Sequence, residues 1–270
     1  MQRLTHRSFV FCLCLFILSP MALYSAEALP TGLIAWWSGD TNANDVSGHM
    51  HNATLLHGAQ AGVPGLIGGG AFQFDGTSAL ATTTLLLPSQ GTIDLWVNPA
   101  SLDSIDGIFG TFGTANGNDR LWLNVRGPQG GLGVGPNHLV VNTGSSGVNE
   151  IVVPSPLVIG TWTHLALTFD YVTDHYALYA NGQEVGTSTA ARTVPTQFVD
   201  FGGQRSDFGQ SFFFHGSEDE IHVFDHVLTA AEIQDLATLP APVPEPTTLF
   251  LFATGCAGLL GYGWRWRQAA

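Results

Sequence analysis

Lysine is absent from all 270 residues, and between Leu29 and Pro240 only Arg120, Arg126, Arg192 and Arg205 face 19 acidic residues. The net charge of that stretch is near −15. A surface so acidic repels nucleic-acid phosphates and anionic lipid headgroups, so nucleic acid is excluded as a partner. Cysteine is missing from the same stretch, because Cys12, Cys14 and Cys256 all lie outside it. No disulfide, thiolate nucleophile or cysteine metal site is therefore available there. Gly-x-Ser-x-Gly, His-Glu-x-x-His and phosphate-loop patterns are also absent, which removes the commonest hydrolase and nucleotide signatures. Helical periodicity is scarce. Apolar residues are not: they make up 45% of the chain, too many for a disordered one.

What is present begins at the two ends. Arg3 and Arg7 precede an apolar stretch, Phe9–Leu18, and Ala26-Glu27-Ala28 offers a small-x-small cleavage site. This predicts a secretory signal peptide over residues 1–28. Near the other end, Val243-Pro244-Glu245-Pro246 is followed by an apolar run over residues 247–264, then by Arg265 and Arg267 in a basic end, 265–270. The run is long enough to cross a hydrocarbon core of about 30 Å as a transmembrane helix. The arginines behind it stay cytoplasmic, which puts everything before Pro246 outside.

Between the ends the period is two and glycine punctuates it. Ile34–Trp37, Ala71–Phe74, Thr92–Val97, Leu121–Val125, His138–Val141, His164–Phe169, Tyr176–Tyr179 and Ile221–Phe224 read as short strands. In Thr92–Val97 the residues Ile93, Leu95 and Val97 should face one side, and Thr92, Asp94 and Trp96 the other. Asn181-Gly182 tolerates the positive φ angles of a tight hairpin. Thr229 and Glu232 form a capping box ahead of Ile233 and Leu236, which predicts one short C-terminal helix. Such a pattern predicts an all-β antiparallel sandwich over residues 29–239. Trp36, Phe72, Phe74, Trp96 and Trp162 are its core candidates. Prolines at 240, 242, 244 and 246 then make a stiff linker over residues 240–246.

Two resemblances follow from these residues. The order of Val243–Pro246, apolar run and arginine pair resembles the PEP-CTERM sorting signal of Gram-negative bacteria. That resemblance implies cleavage by an exosortase-type membrane protease and passage from an inner-membrane-anchored precursor to the cell surface or beyond. A plain membrane anchor is the alternative. In order and spacing, Gly32–Ser38, Asn42–Gly48, Gly69–Gly76, Thr92–Pro99, Gly160–Asp170 and Gly216–Ile233 resemble the bacterial laminin G-like, concanavalin A-like domains. That resemblance implies a two-sheet jelly roll and a surface or matrix protein without catalysis, binding exopolysaccharide, another glycan or a surface protein. It also implies a calcium ion, for which Asp75 and Asp219 are the family-matched ligands.

Asp40-x-Asn42-x-Asn44-Asp45 looks like half an EF-hand loop without its glycine and glutamate, so Asp40 and Asp45 are further calcium candidates. The competing role for all four acids is capping turns. The clustered His49, His51 and His57 read as surface residues. A weak glycan hydrolase or lyase is the rival function. Retaining hydrolysis needs two carboxyls about 5–5.5 Å apart, and only Glu218-Asp219-Glu220 approaches that, with Glu218 and Glu220 expected on one face.

Overall fold

The computed structural model describes residues 29–77, 80–102, 105–111, 120–144, 149–196, 198–204 and 212–238. The signal segment, the sorting residues Val243, Pro244, Glu245 and Pro246, the apolar run, Arg265 and Arg267 lie outside the described residues. In chain order the first strands are β1 (Leu33–Trp37), β2 (Thr54–Leu56), β3 (Gln60–Val63), β4 (Ala71–Asp75), β5 (Leu80–Leu86) and β6 (Gln90–Pro99). Then come β7 (Ile105–Thr111), β8 (Leu121–Arg126), β9 (His138–Thr143), β10 (Asn149–Pro154), β11 (Thr163–Asp170) and β12 (His175–Ala180). β13 (Gln183–Ser188), β14 (Phe198–Phe201), β15 (Gly203–Gln204), β16 (Phe212–Phe213), β17 (His215–Phe224) and α1 (Ala230–Leu236) complete the order.

The strands form two packed antiparallel sheets, a jelly-roll sandwich. The eight-stranded sheet runs β13-β12-β11-β6-β17-β4-β3, with β1 also paired to β17. The seven-stranded sheet runs β10-β9-β8-β7-β14-β5-β2, and β15 and β16 form a separate ribbon. Alternation decides which side chains meet between the sheets. From β6, Ile93, Leu95 and Val97 enter the shared core, as do Leu121, Leu123 and Val125 from β8. Phe201 of β14 ties the sheets together, its ring 5.1 Å from Phe72, 5.4 Å from Trp37 and 6.2 Å from Phe74. Each such buried apolar side chain contributes roughly 1.5–3 kcal/mol.

Of the five expected core aromatics, Phe72 and Phe74 belong to that core. Trp37, not Trp36, enters it from β1, because the strand's alternation turns Trp36 to the opposite face. Trp96 is buried, but on the outer face of the eight-stranded sheet beside His164. Trp162 is half-buried and precedes β11. That outer face has its own cover. Ile233 of α1 packs with Phe224, Leu228, Ala166, Ala177 and Tyr179. The helix starts where the sequence says, with both bonds of the Thr229–Glu232 capping box made. The β12–β13 hairpin also forms as expected, Asn181 and Gly182 taking φ of 48° and 76°.

One local irregularity matters for function. Along β17, Glu218 pairs with Val97 and Asp219 with Trp96, yet the next partner, Asp94, takes His222. The extra residues form a bulge with Glu220 at φ 49°, a left-handed conformation that side chains other than glycine seldom adopt. The bulge reverses the facing of everything before it. Glu218 therefore points into the core side and Glu220 outward, contrary to the expectation that they share a face.

Candidate functional site

Two buried polar clusters lie on the outer faces of the two sheets, and they differ in how many of their polar atoms are paired. On the eight-stranded sheet, Asp94 of β6 sits between two imidazoles carried by its neighbouring strands. His222 Nδ1 lies 2.9 Å from Asp94 Oδ1, and His164 Nε2 bonds Oδ2. Glu220 Oε2 accepts from Trp36 Nε1 at 2.8 Å and lies 3.4 Å from His222 Nε2. Burial pushes the Asp94 carboxyl upward, but His164 and His222 outweigh it and bring its pKa to about 2. For His222, burial lowers the pKa, and the bonds to Asp94 and Glu220 overcome it, raising the value to about 9. The cluster is a network that clamps β1, β6, β11 and β17 together through Asp94 and Glu220. Among the described residues His164 Nδ1 has no hydrogen-bond partner, and His222 Nε2 has only Glu220 nearby, at 3.4 Å.

On the seven-stranded sheet the second cluster is left open in its bonding. Alternation along β8 sends Trp122, Asn124 and Arg126 to the outer face while Leu121, Leu123 and Val125 fill the core. All three outward residues are buried. Trp122 Nε1, Asn124 Oδ1 and the Nε, Nη1 and Nη2 atoms of Arg126 have no hydrogen-bond partner. Asn124 Nδ2 donates to Asn142 Oδ1 of β9 at 2.8 Å. Phe212 of β16 stacks on Trp122 at 5.0 Å, and the guanidinium groups of Arg126 and Arg120 lie 5.3 and 5.9 Å from the same ring. Burial lowers the Arg126 pKa to about 10. On β7, Gly107 stands opposite Asn124 and Gly110 opposite Trp122, so no side chain from that strand fills the face there. Buried polar atoms ordinarily find partners. A run of orphans at alternate positions of one strand calls for ordered water or the polar groups of a ligand to complete the bonding. The pattern Trp-x-Asn-x-Arg in an otherwise apolar strand was visible in the sequence, but its facing was not.

The four acids considered for calcium do not converge. Asp75 Oδ1 and Oδ2 accept from Thr77 N and Oγ1 at 2.9 and 2.8 Å. Asp75 pairs with His215 on β17, four residues from Asp219, a separation of about 13 Å along the strand. Asp219 Oδ2 accepts from Leu66 N at 2.7 Å and Ile67 N at 3.1 Å. Asp40 Oδ1 accepts from Gly69 N and Gly70 N. These two acids thus grip the glycine-rich turn after β3 by its backbone. Asp45 caps its own loop, accepting from Trp36 N, Ser47 N and His51 N. Among the described residues no group of three or more His, Cys, Asp or Glu side chains is arranged to hold a metal. The residues present do not fit a shared ion.

Nor does Glu218-Asp219-Glu220 form a hydrolytic pair. Glu218 is fully buried, and its Oε2 accepts from Gly202 N at 3.1 Å while Oε1 has no partner. Gly202 has φ 71°, and a Cβ there would lie 2.2 Å from Phe74, so only glycine can bring that N–H to the carboxyl. Burial holds the Glu218 pKa well above the usual range and raises that of Asp219 to about 7. No described helix is long and apolar enough to cross a membrane.

Comparison with known proteins agrees with this architecture. Residues 74–234 match the family described as the Concanavalin A-like lectin/glucanases superfamily, Laminin_G_3, and residues 242–268 match the PEP-CTERM protein-sorting motif. A pentraxin-related protein of Bos taurus is 30% identical over 97 residues, a match that spans 32% of this chain and 25% of the relative. The chain therefore covers about a quarter of that relative's length. Domain 4 of an extracellular arabinanase from Geobacillus stearothermophilus, solved with arabinotriose, is 24% identical with a TM-score of 0.60. That match covers 76% of this chain and 98% of the domain. The botulinum neurotoxin type G receptor-binding domain gives 14% identity and a TM-score of 0.57, over 77% of this chain and 51% of that one. A Trypanosoma rangeli sialidase gives 17% and 0.59, over 78% and 33%. The PEP-CTERM motif marks an exported bacterial cell-surface protein processed by an exosortase, a membrane protease. The chain belongs to the concanavalin A-like lectin and glucanase superfamily, in its laminin G-like branch.

Proposed function

We propose that the protein is a non-catalytic, glycan-binding component of the bacterial surface or extracellular matrix, which holds sugar against the outer face of its seven-stranded sheet. The observation that carries this reading is the orphaned polar run on β8: Trp122 Nε1, Asn124 Oδ1 and the Arg126 guanidinium. Sugar hydroxyls both donate and accept, so they can complete such a set, and aromatic side chains beside them suit the apolar faces of a sugar ring. The arabinanase domain with the same fold, solved with arabinotriose, supports the reading. That Glu218 and Glu220 face opposite ways supports a non-catalytic reading, since it leaves no carboxyl pair at β17 for the two-acid mechanism. The rival, a weak hydrolase or lyase, predicts new reducing ends when the protein is incubated with soluble polysaccharide. Among the described residues the acids considered for calcium bond backbone and do not converge, so the reading does not depend on the ion.

The full chain in detergent, screened on a glycan array with calcium and with chelator, should be retained on at least one polysaccharide. Trp122→Ala should cut that retention at least tenfold without changing the far-ultraviolet spectrum. Retention unaffected by Trp122→Ala would move the site elsewhere on the fold. Before processing, the chain sits in the inner membrane of a Gram-negative cell by its apolar run, with Val243–Pro246 exposed just outside. Mass spectrometry of the surface-recovered protein should show no peptide running from Pro246 to Arg265. Such a peptide would make the tail a permanent anchor.

A further inference from the structure

We propose that the sugar taken up at β8 is anionic, carrying a uronate carboxylate or a sulfate half-ester, and that Arg126 is the residue that receives the charge. The inference rests on the glycan-binding reading and narrows its ligand class. Arg126 is 0% exposed, and none of its three guanidinium nitrogens has a partner. The domain does pair arginine elsewhere: Arg192 reaches Glu150 Oε1 through Nη2 and Thr143 through Nε. With 19 acids in the stretch from Leu29 to Pro240, a counter-charge for Arg126 is not scarce. Yet the side chains paired beside it across the sheet are Ile105 on β7 and His138 on β9, and neither is a carboxylate. Two of the stretch's four arginines, Arg120 and Arg126, also converge on one indole.

A neutral sugar would satisfy Trp122 Nε1 and Asn124 Oδ1 but leave a buried cation uncompensated, which is costly. A carboxylate or sulfate matches the planar fork of the guanidinium and compensates it. The acidic surface does not overrule this. Exposed charges more than about 8 Å away are screened at physiological ionic strength, whereas a buried contact is not. It also means that polyanion binding to this protein, if seen, must come from a local site rather than from general attraction.

The test uses the full chain in detergent at physiological salt, with four immobilised polymers: polygalacturonate, the same polymer fully methyl-esterified, dextran sulfate and neutral dextran. Esterification removes the charge and keeps the sugar, so the comparison needs no variant. Polygalacturonate or dextran sulfate should bind at least tenfold tighter than its uncharged counterpart, and whichever does so identifies the anion as carboxylate or sulfate. Arg126→Met, checked for folding by circular dichroism, should erase the preference. Equal binding of charged and uncharged polymers would overturn the inference and leave the glycan reading standing. An anion preference that survives in folded Arg126→Met would overturn the role of Arg126. No binding to any polysaccharide would remove both.

Discussion

At the residue scale the most consequential group is Glu218, a carboxyl with one bond and an orphaned oxygen inside the sandwich. Its folded pKa lies well above the 4.5 of the free side chain because burial penalises the charged form. A raised carboxyl pKa means that its favourable contribution is present at pH below about 4.5 and is lost as pH rises above that value. Asp219, raised from 3.8 to about 7, acts in the same direction between those two values. His222, raised from 6.5 to about 9, contributes stability below pH 6.5 that disappears through pH 9. Asp94 opposes them, since its stabilisation is lost as pH falls from 3.8 toward 2. So do Asp45 and Asp170, where burial is outweighed by hydrogen bonds, and Glu232, whose hydrogen bonds likewise hold its carboxyl below the ordinary range. Urea unfolding should therefore be hardest near pH 4–5 and progressively easier toward pH 9. Glu218→Gln, which keeps the shape without the charge, should raise the midpoint at pH 8 and leave it nearly unchanged at pH 4. Equal midpoints for the variant and its parent at pH 8 would show that the carboxyl is relieved by a partner. None of this was legible in the sequence. Glu218-Asp219-Glu220 read as a strand with its outer acids on one side, and the bulge that separates them arises from pairing with β6.

At the element scale the sequence was readable wherever a local signal decided the outcome. The Thr229–Glu232 box, the Asn181-Gly182 turn and the alternation of Thr92–Val97 each depend on neighbours in the chain, and each is found in the fold. Strands β2, β3, β5, β7, β10 and β14 were missed: threonine and glycine dilute the apolar pattern of β5 and β7, and β14 is only four residues long. Pairing with neighbours distant in sequence makes the central ones strands, with β14 held between β5 and β7. The helix α1 covers the apolar outer patch of the eight-stranded sheet through Ile233, so its cap bears on more than seven residues. Thr229→Ala should destabilise the domain by about 1 kcal/mol, and amide exchange should quicken first in Ala230–Leu236. A loss well under ~0.5 kcal/mol would mean that packing alone, not the cap, fixes the helix.

At the scale of the whole molecule, charge and fold divide the labour. The domain carries a strongly acidic sequence, and the PEP-CTERM motif at residues 242–268 directs it outward. The two sheets then differ in what their outer faces offer: one is covered by α1 and has Asp94 bonded to two imidazoles, while the other keeps a larger unpaired set of donors and acceptors on β8. Family resemblance reached the fold and the sorting route from sequence. It could not reach the proposed binding face, because Trp122, Asn124 and Arg126 stand out only once their side of the sheet and their unpaired atoms are known. The direct test is a crystal structure of the full chain with an oligosaccharide from the polymer it retains. The account predicts sugar density within hydrogen-bond reach of Arg126, Asn124 Oδ1 and Trp122 Nε1. Sugar bound on the eight-stranded sheet or at the loops, with ordered water alone bridging the three β8 residues, would contradict it.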